Sequence, residues 1–187
     1  MGFVVDVVDM TDGKLSASVI HDIERTEPDT TVIQVHAIRG GLAFMVDSIL
    51  KRTTYHGMNV LRIWGHGAGG LQNISANRSD EGWATGGSLD VRHFELSGSL
   101  MAKLRPKFYS SKSRIELRGC RVAQGEEGKG LMLKLARTVG VRVMAAWDDQ
   151  AGMDWINDVY QADPDGSFKQ IYYTASKIWV VRIEDNS

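Results

Sequence analysis

The sequence holds one cysteine in 187 residues, no excess of charge of either sign and no uninterrupted apolar run of membrane length. Each shortage excludes something. A single thiol, Cys120, cannot close an internal disulfide, and without Cys/His pairs there is no structural zinc site. Lys and Arg number 22 against 23 Asp and Glu, a formal charge of -1, and no run of like charges occurs. The broad field that holds a polyanion is therefore missing, and nucleic acid is not expected as a partner. The opening Gly2 to Val8 is apolar, but Asp6 interrupts it, Asp9 ends it and no basic flank precedes it. It reads as neither a signal peptide nor a membrane span, so the expectation is a cytoplasmic protein with no membrane partner. Hydrophobic residues at 43% and charged residues at 24% are ordinary globular values, which excludes a disordered chain and predicts one core over a single domain, 1–187.

What is present is alternation. Phe3 to Val8 is a valine-rich strand that runs into the turn Thr11-Asp12-Gly13 and a loop. Thr31 to Ala37 predicts a second strand, and Leu42 to Arg52 carries Leu42, Met45, Val46, Ile49 and Leu50 on one helical stripe. Asn59 to Trp64 predicts a third strand, ending in Gly65-His66-Gly67-Ala68-Gly69-Gly70, where the chain needs close backbone approach. Leu71 to Gly87 is polar and reads as a long surface loop carrying Trp83. A helix over Val91 to Leu104 stops at Pro106, and a fourth strand, Arg114 to Leu117, delivers Gly119-Cys120. A helix over Gly128 to Val139, capped by Gly140, precedes a fifth strand, Val141 to Ala146. Period-2 segments at Gln170 to Thr174 and Lys177 to Ile183 predict a hairpin or two edge strands. The predicted class is α/β, with a mostly parallel central sheet, helices on both faces in three layers and a C-terminal antiparallel hairpin.

Ligands of such sheets bind outside the carboxyl ends of the strands. His66 follows the third strand and Cys120 the fourth, so both emerge at one edge, and neighbouring strands lie about 4.8 Å apart. An imidazole beside a thiol favours the thiolate and can protonate a leaving amine. The carbonyl under attack needs bare N–H donors, for which Gly67 and the Cys120 amide are candidates. Asp9, Asp12 and Asp90 are each able to orient His66, and the spacing selects none of them. The other histidines, His21, His36, His56 and His93, read as structural or surface groups, with His36 near a strand end as well. The glycines of Gly65 to Gly70 lack both the Lys-Ser/Thr of a P-loop and a dinucleotide spacing, so no cofactor is expected.

A strand ending in His-Gly, a helix, then a strand ending in Cys resembles the caspase-like cysteine peptidases, which include caspases, gingipains, clostripain, legumain and toxin self-cleaving domains. His66 and Cys120 are 54 residues apart, against about 50 in caspases. Ile63-Trp64-Gly65-His66-Gly67 and Arg118-Gly119-Cys120-Arg121-Val122-Ala123-Gln124-Gly125, with the following Gly128 and Leu135-Ala136, look most like a caspase-like domain of uncharacterised role in large bacterial surface proteins. The resemblance spans roughly residues 31 to 150. It implies Cys120 as nucleophile, His66 as general acid/base and Gly67 as oxyanion donor. Two positions before the nucleophile caspases carry Gln and clostripain-like enzymes Asp, lining the substrate pocket. Arg118 at that position implies an acidic or small polar preference, with Trp147, Asp148 and Asp149 as a second wall, or else as a solvated turn. Trp83 is a candidate cap for a substrate groove.

The function expected is a cysteine endopeptidase that cuts a protein or peptide substrate, or its own chain, with an activator or processing partner as the resemblance implies. The alternative is an inactive caspase-like module kept for protein interaction, and a weaker third is a small-molecule hydrolase or acyltransferase using the same dyad.

Overall fold

The computed structural model describes residues 3–27, 29–36, 38, 40–53, 55–75, 86–150, 155, 158–173 and 179–182. Strand β1 (Phe3–Asp9) lies inside the parallel region, next to its edge strand, with its last five residues buried. It pairs in parallel with β2 (Thr31–Val35) on one side and β3 (Met58–Trp64) on the other. Beyond β3 come β7 (Arg114–Leu117) and β8 (Arg142–Ala146), both parallel. Then β9 (Val159–Ala162), β10 (Phe168–Tyr173) and β11 (Trp179–Arg182) add on, each antiparallel to its neighbour. The order is β11-β10-β9-β8-β7-β3-β1-β2, an eight-stranded sheet. Its parallel part reverses direction of winding between β1 and β3, and the carboxyl ends flanking such a reversal form a crevice.

The pleat divides the core between two faces. Val5, Val7, Leu61, Ile63, Ile115 and Leu117 point to one, where α2 (Gly41–Arg52), α3 (Phe94–Ala102) and α4 (Gly125–Val139) bury Met45, Ile49, Met101, Leu131 and Leu135. Val8 and Trp64 point to the other and meet Val19 and Ile23 of α1 (Gly13–Thr26). The architecture is therefore α/β, with helices on both faces of a mostly parallel sheet and antiparallel strands at its C-terminal edge.

Three expectations need correction. The stretch after Asp12 is a 14-residue helix, not a loop. Asp12 caps it, accepting from the backbone N–H of Lys14 and Leu15, and Val19 and Ile23 supply its buried stripe. The long loop is shorter than expected, because Leu71–Asn73 forms β5, paired with β4 (Gly67–Ala68) and β6 (Ser88–Asp90) in a small antiparallel sheet. Gly70, at a left-handed φ of 73°, makes the tight turn between β4 and β5. The segment between β8 and the tail contains an unforeseen strand, β9. Trp83, Ala37, Thr174, Lys177, Ile178 and Ile183 lie outside the described residues.

Candidate functional site

The ends of β3 and β7 are adjacent, with Ile63 opposite Leu117, so the chain leaves both strands side by side. Two glycines then set how close the departing loops come. A Cβ on Gly67 would stand 2.7 Å from the Cys120 carbonyl oxygen and 3.0 Å from the Gly119 Cα; one on Gly119 would stand 2.9 Å from the Gly67 Cα. Contacts this short to backbone leave no room for any side chain, so the residues following His66 and preceding Cys120 touch main chain to main chain. Gln72 of β5 pins the pair, its Oε1 accepting from the Gly119 N–H at 2.9 Å.

The imidazole of His66 is held from the N-terminus of α1. Its Nε2 lies 3.1 Å from Oδ2 of Asp12, while Oδ1 of the same carboxylate caps α1. The N–H of Leu15, then the imidazole, hold the Asp12 carboxyl below its ordinary range. An ionised Asp12 accepts the Nε2–H and so fixes the tautomer, leaving the Nδ1 lone pair, which has no hydrogen-bond partner among the described residues. Of the three carboxylates considered, the structure thus brings Asp12 to His66. Asp90 pairs instead with His93 Nδ1 at 3.2 Å and accepts from the Arg92 N–H. Asp9 is buried against Gly65; Oδ1 accepts from the Thr11 N–H, Oδ2 has no partner among the described residues, and burial pushes its carboxyl up. His56 bonds the Phe108 carbonyl, and His21 and His36 are exposed.

Cys120 is half-buried. Its Sγ accepts from the Gln150 N–H at 3.4 Å and faces the Gln150 carbonyl at 3.7 Å, and among the described residues no hydrogen bond joins it to His66. The Cys120 N–H has no partner among the described residues. In the β4–β5 hairpin Asn73 donates to the His66 carbonyl, so the next pair, Gly67 and Gln72, is a non-hydrogen-bonded one and the Gly67 N–H points out of the ladder. Two main-chain donors therefore stand at the meeting of the loops. Arg121, next in the chain, has a left-handed φ of 58°, and its N–H donates to the Asp148 carbonyl while its guanidinium pairs with Asp149 at 2.7 Å. These contacts and those of Gln150 tie the turn that carries Cys120 to the end of β8.

The expected pocket residues separate. The Arg118 side chain is 10% exposed; it donates to Glu116 and lies under the Trp155 ring at 3.9 Å and beside Trp64 at 5.0 Å. Burial disfavours charge on both Arg118 and Glu116. At Glu116 the guanidiniums of Arg118, Arg114 and Arg62 outweigh it and hold the carboxyl down. Trp147 packs at a tilt against Tyr160, ring centroids 5.0 Å apart, on the face of α2–α4, opposite to Arg118. Asp148 is exposed and joins the site through its carbonyl. Sequence reasoning missed Gln72, Gln150 and Trp155, which are brought in by pairings far along the chain and carry no local signal.

Fold and site define an α/β protein presenting a thiol, an imidazole and a carboxylate along the carboxyl edge of its parallel strands. The chain belongs to the family described as a domain of unknown function, DUF4347, whose profile matches residues 14–163. Nothing matches among curated proteins or solved structures. No described helix is long and apolar enough to cross a membrane, and no group of metal-ligating residues occurs among the described residues.

Proposed function

We propose that this chain is a cysteine peptidase of caspase-like type, acting on a protein or peptide substrate through Cys120 and His66. The observation that carries the reading is the main-chain contact of Gly67 with Gly119 and Cys120, beside an imidazole anchored by Asp12. His66 Nδ1 takes the thiol proton, and the sulfur attacks the substrate carbonyl as the C–O π pair moves to oxygen. The Cys120 and Gly67 N–H groups are placed to receive that oxyanion. Collapse breaks the C–N bond, the amine leaves with the proton from His66, and water, deprotonated by His66, then releases the acyl group from sulfur. Catalytic hydrogen bonds tighten when substrate binds, so the absence of a thiol–imidazole bond in the free chain is compatible with this cycle.

The same absence, with the thiol turned to Gln150, favours a second reading as an interaction module whose thiol is inert. Iodoacetamide labelling of Cys120 against pH, in the wild type and in His66→Ala, separates the two. Fast labelling at pH 6 that the substitution slows supports the dyad, and hydrolysis of peptide or thioester substrates by the wild type and not by Cys120→Ser completes the case. Equal, slow labelling in both overturns the peptidase reading.

A further inference from the structure

The face of the sheet that α1 covers over β2, β1 and β3 continues over β7–β10 with no described helix on it. There a groove of about 330 Å³ is lined by Arg114, Arg142, Met144, Asp163, Lys169 and Ile171, among others. Alternation explains the grouping, since Arg114 stands opposite Arg142 and Met144 opposite Gln161 in the register of β7, β8 and β9.

The charges of this groove balance except at one residue. Arg114 Nε donates to Glu116 at 2.6 Å, and Lys169 meets Asp163 at 2.7 Å, with Asp163 also accepting from Gln161. Arg142 has no ion pair or hydrogen bond from its guanidinium among the described residues, and its Nε is sealed from solvent without a partner. A buried N–H of a charged group left unmade is costly, and natural structures rarely keep one without a use. Two residues along β8 from Arg142, on the same face, Met144 belongs with Ile171 of β10 to an apolar cluster that includes Val159 and Trp155.

We propose that this groove binds a small organic monoanion, its carboxylate on Arg142 and a short apolar body against Met144 and Ile171. The volume is at the lower end of small-molecule sites. The inference does not rest on the thiol chemistry above.

Calorimetric titration of the whole chain at low, fixed ionic strength tests it, with phenylacetate as the probe, 2-phenylethanol as its uncharged counterpart and inorganic phosphate as an anion with no apolar body. Phenylacetate is expected to bind saturably, and each of the other two about tenfold more weakly, the factor expected for one hydrogen bond to a charged group. Arg142→Met is expected to weaken phenylacetate by about tenfold or more and to raise Tm, because it removes the unpaired cation. Arg142→Gln, with the same loss of binding, serves if the methionine variant misfolds. No saturable binding by the wild type, phosphate binding as tightly as phenylacetate, or phenylacetate binding unaltered by both substitutions overturns the proposal.

Discussion

Asp12 shows how much one side chain can settle. One oxygen accepts from Lys14 and Leu15 at the start of α1, the other holds His66, so the helix and the imidazole share a single carboxylate. Substitutions can separate the two duties. Asp12→Ser keeps a cap-competent oxygen and loses the imidazole partner, whereas Asp12→Ala loses both. Alkylation of Cys120 and any peptide hydrolysis are expected to fall at least about tenfold in both variants, on the scale of acid–base catalysis, while Tm falls only in Asp12→Ala. A full rate in Asp12→Ser would detach the carboxylate from the proposed mechanism. Because the Asp12 carboxyl is held below its ordinary value, the cap's contribution is complete above about pH 4 and is lost as pH falls through the lowered value.

At the scale of elements, the site depends on how closely two strand-end loops approach. Gly67→Ala and Gly119→Ala place a methyl within 3.0 Å of backbone that cannot swing away. Each is expected to lower unfolding free energy by about 1–3 kcal/mol, as overpacking does, and to slow Cys120 labelling by changing the turn. Gly13→Ala is the control. Its Cβ would meet nothing within 4 Å in the first turn of α1, and stability is expected to rise by up to about 1 kcal/mol. Urea denaturation of the three variants checks this, and equal midpoints would show that the loops yield more easily than their spacing implies.

For the molecule as a whole, acid stability is expected to follow the buried carboxylates of the sheet. Glu116, buried on β7, is the shared counter-charge of Arg114, Arg118 and Arg62. Glu116→Gln removes the counter-charge these three cations share and is expected to cost about 3–5 kcal/mol in urea unfolding. Its carboxyl is held down in the folded chain, so its contribution is complete above about pH 4.3 and drains away as pH falls through the lowered value. Asp6 and Asp9 act with the opposite sign. Burial raises both, so the folded chain keeps their protons longer, and their contribution, complete below about pH 3.9, is lost as pH rises through the raised values. Urea midpoints from pH 3 to 7 are expected to fall less steeply toward acid in Glu116→Gln than in the wild type; equal slopes would remove Glu116 from the acid limb.

The class of fold was legible because it rests on local periodicity. Valine-rich runs, apolar stripes at helical spacing and glycines at the strand ends pointed to parallel strands linked by helices, and to His66 and Cys120 leaving neighbouring strands. α1 was legible too and went unread, since Asp12 as cap with Val19 and Ile23 one turn apart is a pattern of sequence alone. What the sequence left open was decided by contacts between distant residues. Asp9, Asp12 and Asp90 were equal in spacing, and only the folded chain set Asp12 against the imidazole. Gln150 reached the thiol because β8 lies beside β7, and Arg118 and Trp147 parted because the pleat sends them to opposite faces. Periodicity fixes which way a residue faces within its own strand or helix, and tertiary pairing alone decides what it faces.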